Sequence, residues 1–497
     1  MTISYRQTLR SSTIIGGASI INVILSLLRM KAAALFLGPA GVGLIGIFSN
    51  LVGVAISLAG LGLGNSGTRQ IAAADGNTAA ARRALRWMSI IMAVSGAGLF
   101  WALRGILAAH VLGDIGLADN VGWLALAVGL SIIAGSQEAM LNGLRRVGDL
   151  SRLSVYAAFW SSVLGIAALW MWGLAGVVVY IIAVPFVGVI LGQWYVAKLP
   201  QNAGDVIPMS SVVEQGREML KLGFAFMLTS TIGYSGILFV RSLVQNELGI
   251  EATGYFQAAW AISMTYIGFV LSAMGADYYP RLTAAINDHA SVNRMVNEQT
   301  EVALLLAGPV LLAMMALAPW VIHLLYSQEF QPATDVLHWQ ILGDILKVAS
   351  WPLGFIILAA GDGKTFVFSE SIGIGAFVLL TWLMIPWFGL EATGISFFGM
   401  YVVYLPIVFW LVKRRTGFSL DSAVLKQIIL LFVAAAVVMG LARYSQTWAA
   451  GTGLLLSAVF GVYGFSRLAH KTELSGPLGK LAAYAQTIMK KIGVWHE

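Results

Sequence analysis

The sequence predicts an all-α polytopic membrane protein with about 14 transmembrane helices and both termini in the cytoplasm. Three observations carry this reading: too few polar residues to cover a soluble surface, apolar runs of spanning length along nearly the whole chain, and basic residues confined to alternate connections. Of 497 residues, 58% are hydrophobic and 11% charged, where ordinary soluble domains have about 45–50% apolar and about 25% charged residues. That balance excludes a secreted enzyme, a disordered scaffold and a nucleic-acid-binding protein. The net charge of +7 has a topological cause instead, since membrane proteins gather Lys and Arg in their cytoplasmic loops.

In chain order the spans are expected at roughly 11–36, 41–64, 87–112, 120–143, 153–172, 175–197, 222–246, 253–275, 301–326, 337–360, 366–387, 392–412, 424–442 and 449–467. Each is about 19–26 residues, enough at about 1.5 Å per residue to cross a hydrocarbon core of about 30 Å. Arg6 and Arg10 precede the first run as they would in a signal peptide. The run is too long for one and many more follow, so an uncleaved helix is expected. Gly38-Pro39 divides the first two spans, Gly173 the fifth and sixth, Gly249 the seventh and eighth, Gly361-Asp362-Gly363 the tenth and eleventh, and Gly389 the next pair. Charge marks other joins, such as Arg82, Arg83 and Arg86 before the third span and Arg145, Arg146 and Arg152 before the fifth.

Sidedness tests the count. With the N-terminus inside, 24 of the 30 basic residues fall in inner segments. The outer loops hold only Arg443, against Asp114, Asp119, Glu247, Glu251, Glu329, Asp335 and Glu391. One missed or invented helix would reverse every later loop and destroy this asymmetry.

An internal repeat is legible in four outer hairpins: Leu37-Gly-Pro-Ala-Gly41, Trp172-Gly-Leu-Ala-Gly176, Leu248-Gly-Ile-Glu-Ala-Thr-Gly254 and Phe388-Gly-Leu-Glu-Ala-Thr-Gly394. Gly38 to Gly249 is 211 residues and Gly173 to Gly389 is 216. Two units of six helices account for both intervals. Because six is even, both halves enter from the same side and form a parallel repeat about an axis along the membrane normal. The expected organisation is an N-terminal six-helix lobe (1–199), a cytoplasmic linker (200–221), a C-terminal six-helix lobe (222–415), two additional transmembrane helices (416–470) and a cytoplasmic amphipathic tail (471–497). In that tail Leu478, Leu481, Tyr484, Ile488 and Ile492 recur at helical spacing beside Lys480, Lys490 and Lys491, suiting an anionic leaflet. A frayed polar tail is the other reading.

Five basic residues remain within spans: Arg29, Lys31, Arg104, Arg241 and Lys347. A charge at mid-bilayer costs at least about 2.5–3.5 kcal/mol, so such residues face a polar interior or a partner. Arg29 lies nine residues before Gly38 and Arg241 eight before Gly249, at nearly the same depth on the first helix of each half. As a facing pair they would form a cationic site for pyrophosphate, which a planar guanidinium fork matches well. The alternative is that both snorkel to the interface. Arg104 and Lys31 are further candidate cavity cations. Asp344 and Lys347, three apart on one helix, share a face and form either a buried ion pair or an ion-coupling site. Glu138 and Glu370 are the other carboxylates within spans, each near enough to an inner end to snorkel.

No catalytic constellation appears: there is no Walker A motif, GxSxG, HExxH or aspartate-rich metal site, so no enzyme activity, metal or other cofactor is expected. Cysteine is absent and the six histidines form no ligand spacing.

The stretch Arg10-Ser-Ser-Thr-Ile-Ile-Gly-Gly-Ala-Ser19, the run Leu37-Gly-Pro-Ala-Gly-Val-Gly-Leu44 and the run Gly60-Leu-Gly-Leu-Gly-Asn-Ser-Gly-Thr-Arg-Gln70 resemble the Wzx-type O-antigen/polysaccharide flippases. These belong to the multidrug/oligosaccharidyl-lipid/polysaccharide exporter (MOP) superfamily. The resemblance implies a bacterial inner-membrane transporter that moves undecaprenyl-pyrophosphate-linked oligosaccharide from the cytoplasmic to the periplasmic leaflet. It implies alternating access of two lobes around a cationic cavity, to which Arg29 and Arg241 would contribute. Membrane lipids and other polysaccharide-assembly membrane proteins are the implied partners, and nucleic acid is not one. Two helices beyond a twelve-helix core are also found in related peptidoglycan-precursor flippases. An ion-coupled multidrug or metabolite antiporter on the same scaffold is the alternative, although an exporter of cations would use buried carboxylates to bind, and five basic residues against three acids within the spans favour an anionic substrate. A non-transporting scaffold for a glycan-assembly complex is a third. Trp160, Tyr234, Trp260, Tyr266 and Trp351 would offer stacking surfaces to sugars, or simply pack the interface.

Overall fold

The computed structural model describes residues 2–74, 78–199 and 208–471, and among them the chain is all-α. Residues 472–497 of the expected tail and residues 200–207 of the expected linker lie outside the described residues. The helices are α1 (Thr2–Gly60), α2 (Leu63–Ala73), α3 (Ala79–Ala102), α4 (Arg104–Leu107), α5 (Ala118–Gly143), α6 (Val147–Trp172), α7 (Gly176–Ala197) and α8 (Met209–Leu248). They continue as α9 (Ile250–Ala284), α10 (His289–Leu325), α11 (Ala333–Ala359), α12 (Gly363–Phe388), α13 (Glu391–Thr416), α14 (Ser422–Ala442) and α15 (Gln446–Lys471).

Among the described residues, 11 continuous stretches are long and apolar enough to cross a membrane. One of them, Gly16–Gly60, breaks at Gly38, and another, Val147–Ala197, contains α6 and α7 with Gly173 between them. Gly38 has φ 61° and ψ −166°, a conformation closed to residues with a Cβ, and Pro39 reinforces the break by disfavouring helix in the residue before it. Gly249 repeats this geometry with φ 90° and ψ 173°. The second pair agrees more closely still: Gly173 has φ 55°, ψ −129° and Gly389 φ 53°, ψ −129°. The hairpins that match in sequence therefore match in backbone conformation. Packing follows the same repeat, since α5 packs on α7 and α6 on α7 as α11 packs on α13 and α12 on α13.

Several helices extend beyond their expected spans. α8 begins at Met209 rather than near 222, because Val212, Gly216, Met219 and Gly223 place one buried face on helical spacing. Met219 is packed with Leu63, Ile71, Leu85 and Met140. α10 likewise starts at His289, with Val292 and Val296 buried against Tyr278 and Phe418. The third expected span ends early, giving way at Leu103 to the single turn of α4 and then a π-helical turn over Ala108–Leu112.

The chain divides into two compact units, one of residues 1–257 with 325–329 and the other of 258–324 with 330–497. The first is built around Ile47, Phe48, Leu124 and Val128. Small residues bring its helices close: a Cβ on Gly254 would collide with the Pro39 carbonyl, and one on Gly43 with that of Ile250. In the second unit α15 packs on α10 through Gly453 against Ala316 and Gly464 against Leu305, with Ser457 donating to the Pro309 carbonyl at 2.7 Å. Large apolar side chains such as Ile91, Val94, Leu99, Ile190 and Leu430 stay exposed, as a lipid-facing surface requires. Trp170, Trp172, Trp387 and Trp448 are exposed near helix ends, the positions of an interfacial aromatic belt.

Candidate functional site

In the first unit a cavity of about 400 Å³ opens between α1, α5, α6 and α7. Its walls follow from helical periodicity. Asn22, Ser26 and Arg29 stand at i, i+4 and i+7 on α1, and Ser131, Gly135 and Glu138 repeat that spacing on α5. Ser154, Ser161 and Ser162 supply one face of α6, and Pro185 and Gly188 the small wall of α7. Each helix thus presents one polar or small stripe inward and apolar residues elsewhere, which is how an ionisable group within a span is accommodated.

Arg29 is held in the wall of the cavity. Its guanidinium lies 3.8 Å from the centroid of the Tyr180 ring and donates through Nη2 to the Tyr180 carbonyl. Gly165 makes the space, since a Cβ there would meet the Tyr180 ring at 3.0 Å and Arg29 Nε at 3.4 Å. Arg29 Nε and Asn22 Oδ1 are buried with no hydrogen-bond partner, while Asn22 Nδ2 donates to Ser154 Oγ at 2.6 Å. The cavity therefore offers one guanidinium, the Glu138 carboxylate, an amide and several hydroxyls. Such a set can bind a hydroxyl-rich ligand carrying an anionic group. It holds no nucleophile–base pair, and among the described residues no group of three or more His, Asp or Glu could hold a metal ion.

The other sequence-derived candidates lie elsewhere. Arg241 is buried inside the first unit, 5% exposed, and donates to the Gly46 carbonyl at 2.5 Å and to Gln257 Oε1. Lys31 donates to the Tyr326 carbonyl at 2.5 Å. Arg104 sits over Trp101, 5.1 Å from its ring centroid, with Asp119 at 3.9 Å, and is open to the surroundings. Of the candidates, Arg29 and Glu138 are the two that share the cavity.

The second unit gathers Asp344, Lys347 and Glu370. Asp344 is fully buried and its Oδ2 accepts from Ser263 Oγ at 2.7 Å and Tyr266 Oη at 2.6 Å, while Oδ1 has no partner. Asp344 and Lys347 occupy one face of α11 as their spacing predicts, but Lys347 Nζ is 3.3 Å from Met264 Sδ. Glu370 accepts from Tyr404 Oη at 2.5 Å. The sequence reading missed the serines and Asn22 of the cavity, as well as Tyr180 and Ser263. Their signal was polar or small residues at i, i+4 and i+7 inside apolar spans.

Comparison with known proteins agrees with this architecture. The chain is 24% identical over 421 residues to the lipid III flippases of Escherichia coli (strain K12) and Shigella flexneri, covering 80% of this chain and 97% of each relative. Its fold is similar to that of an inward-facing multidrug resistance MATE family transporter of the MOP superfamily, with a TM-score of 0.70 at 16% identity over 82% of this chain and 96% of that one. It is also similar to the lipid II flippase MurJ in an inward closed conformation, with a TM-score of 0.66 at 12% identity over 93% of this chain and 100% of that one. The long apolar helices mark it as a multi-pass membrane protein, and these likenesses show that it shares their fold. The polysaccharide biosynthesis protein family model matches residues 33–335, more than half of the sequence, and the chain belongs to that family.

Proposed function

We propose that this protein is a flippase that carries a polyprenyl-pyrophosphate-linked oligosaccharide, of the O-antigen repeat-unit type, from the cytoplasmic to the periplasmic leaflet by alternating access. The observation that carries the reading is the serine-lined cavity of α1, α5, α6 and α7 with Arg29 held in its wall. A pyrophosphate crossing unassisted would bring its charge into hydrocarbon at an idealised cost of order 20 kcal/mol before relaxation. A guanidinium with an uncommitted N–H, in a cavity lined by hydroxyls, lowers that cost and offers hydrogen bonds to sugar. In this reading the chain crosses the membrane fourteen times with both ends in the cytoplasm, as the charge asymmetry requires. Its lobes are 1–199 and 222–415, followed by an extra helix pair over 416–470.

The test is native mass spectrometry of the full chain extracted gently from its own host, beside Arg29→Gln and Arg241→Gln. A charge-assisted hydrogen bond contributes about 1.5–3 kcal/mol, so the wild type is expected to retain a polyprenyl-pyrophosphoryl oligosaccharide and Arg29→Gln to weaken retention about 10- to 150-fold. Retention by none of the three would remove the support for an anion site and favour the ion-coupled antiporter. Equal retention by wild type and Arg29→Gln would leave the substrate class standing and remove Arg29 from its site.

A further inference from the structure

A second cavity, of about 340 Å³, lies within the second unit at the ends of α10, α11, α13 and α14 and the start of α15. These are the helix ends that the charge asymmetry assigns to the outer side. Its lining collects Thr334, Asp335, His338, Trp339, Glu391 and Arg443. The sequence had already set Arg443 apart as the lone basic residue of the outer loops, and Glu391 belongs to one of the four repeated hairpins. That hairpin positions the carboxylate, because Gly394 lets the α13 backbone run against Trp339 and Val336, where a Cβ would stand 2.8 Å from Trp339 Cβ. Glu391 Oε2 then accepts from Trp339 Nε1 at 3.4 Å and faces Arg443 Nη2 at 3.6 Å.

A buried threonine hydroxyl beside these carboxylates points to a ligand. Thr334 is 7% exposed and lines the cavity, and its Oγ1 is buried without a hydrogen-bond partner. A buried hydroxyl left unmade costs about 1–3 kcal/mol, a cost that a bound polar group would relieve. The lining then narrows the class. Asp335 and Glu391 repel phosphate and other anions. The Arg443 guanidinium repels a metal ion, and His338 Nε2 is engaged with the Met315 carbonyl at 3.2 Å. What remains is a neutral or amino-bearing polyol. Carboxylates accept from vicinal hydroxyls, the guanidinium donates back, threonine does either, and an indole packs on the apolar face of a sugar ring. A volume of about 340 Å³ is at the small end of the about 300–1,000 Å³ range of small-molecule sites.

We propose that this cavity is a saccharide-binding site on the outer side, separate from the Arg29 cavity, which takes the sugar part of a glycan without its phosphate. The proposal rests on the flippase reading for the identity of the sugar. It is tested on the full chain in lipid nanodiscs by saturation-transfer difference NMR. The probe is the oligosaccharide freed by mild acid from the host's polyprenyl-linked pool. The wild type and the control Gly375→Ala, where a Cβ meets nothing within 4 Å, are expected to show saccharide signals of equal affinity, and Glu391→Gln and Thr334→Val to raise the apparent Kd about tenfold or more. Thr334→Val exchanges a hydroxyl for a methyl group and decides the matter if Glu391→Gln fails to fold. Absence of signal on the wild type, or undiminished binding by Thr334→Val, overturns the site. The retention assay with lipid-linked glycan runs in parallel. Loss of saccharide signal with retention intact refutes this cavity alone, and loss of retention with the signal intact refutes the flippase reading alone.

Discussion

Replacing Arg241 by Met separates the two arginines that depth along the chain made equivalent. The guanidinium is enclosed within the first unit, where it satisfies the Gly46 carbonyl and Gln257 Oε1. Methionine fills most of the same volume and removes both donors. Each buried acceptor left without its donor costs about 1–3 kcal/mol, and relief of the desolvated charge offsets part of the sum. A net loss of about 2–4 kcal/mol follows. At about 2–4 °C per kcal/mol for a unit of this size, the melting midpoint falls by roughly 5–15 °C. The assay is thermal unfolding of the detergent-solubilised full chain followed by tryptophan fluorescence. Arg241→Met, Gln257→Leu and the double variant form a cycle. Removing both partners is expected to restore part of the loss, with a coupling of about 1–3 kcal/mol. An Arg241→Met protein that melts within about 1 °C of wild type but no longer retains glycolipid would refute the reasoning. It would return Arg241 to the substrate path.

Gly389→Ala forces a Cβ onto φ 53°, ψ −129° and is expected to cost about 1–3 kcal/mol in thermal unfolding. Gly375→Ala, where a Cβ meets nothing within 4 Å, is expected to be neutral or stabilising by up to about 1 kcal/mol. Arg467→Met removes the guanidinium N–H donated to Glu301, which is 5% exposed, and is expected to destabilise the second unit by about 1.5–3 kcal/mol, read from the same melting curves. The Asp362 carboxylate accepts from the Thr365 N–H and Oγ1 and from Arg415. These contacts, led by the Thr365 N–H, hold its pKa below the ordinary 3.8. A depressed carboxylate stabilises the fold above its unfolded pKa. The contribution is therefore expected to be constant at neutral pH and to fade as pH drops below about 4 through the lower folded value. Protection against hydrogen exchange at the start of α12, taken relative to the intrinsic rate at each pH, should fall over that range in the wild type and be low throughout in Asp362→Ala.

The class of protein and most of its punctuation were legible in the residues. Spans follow from apolar run length, and joins from glycines that now prove to have positive φ at Gly38, Gly173, Gly249, Gly361 and Gly389. The repeat was readable as two intervals and returns as two matched pairs of backbone angles. Helix ends were less legible. α8 and α10 run past the apolar core as amphipathic turns whose buried face is set by contacts with other helices.

The candidate site divides in the same way. Arg29 and Glu138 stood out because a charge within a span is costly anywhere in the bilayer, and that cost depends only on residue type and depth. What such a charge faces depends on the neighbouring helices. Sequence depth made Arg29 and Arg241 alike, yet one lines a cavity beside Tyr180 while the other ties α8 to the Gly46 carbonyl and Gln257. The sequence alone determined a multi-span, repeated membrane protein, since length, hydropathy and the spacing of its hairpins are properties of the chain read in order. Only the tertiary structure decided which polar residues converge, because a helix presents every face to something and packing alone selects which face meets which neighbour.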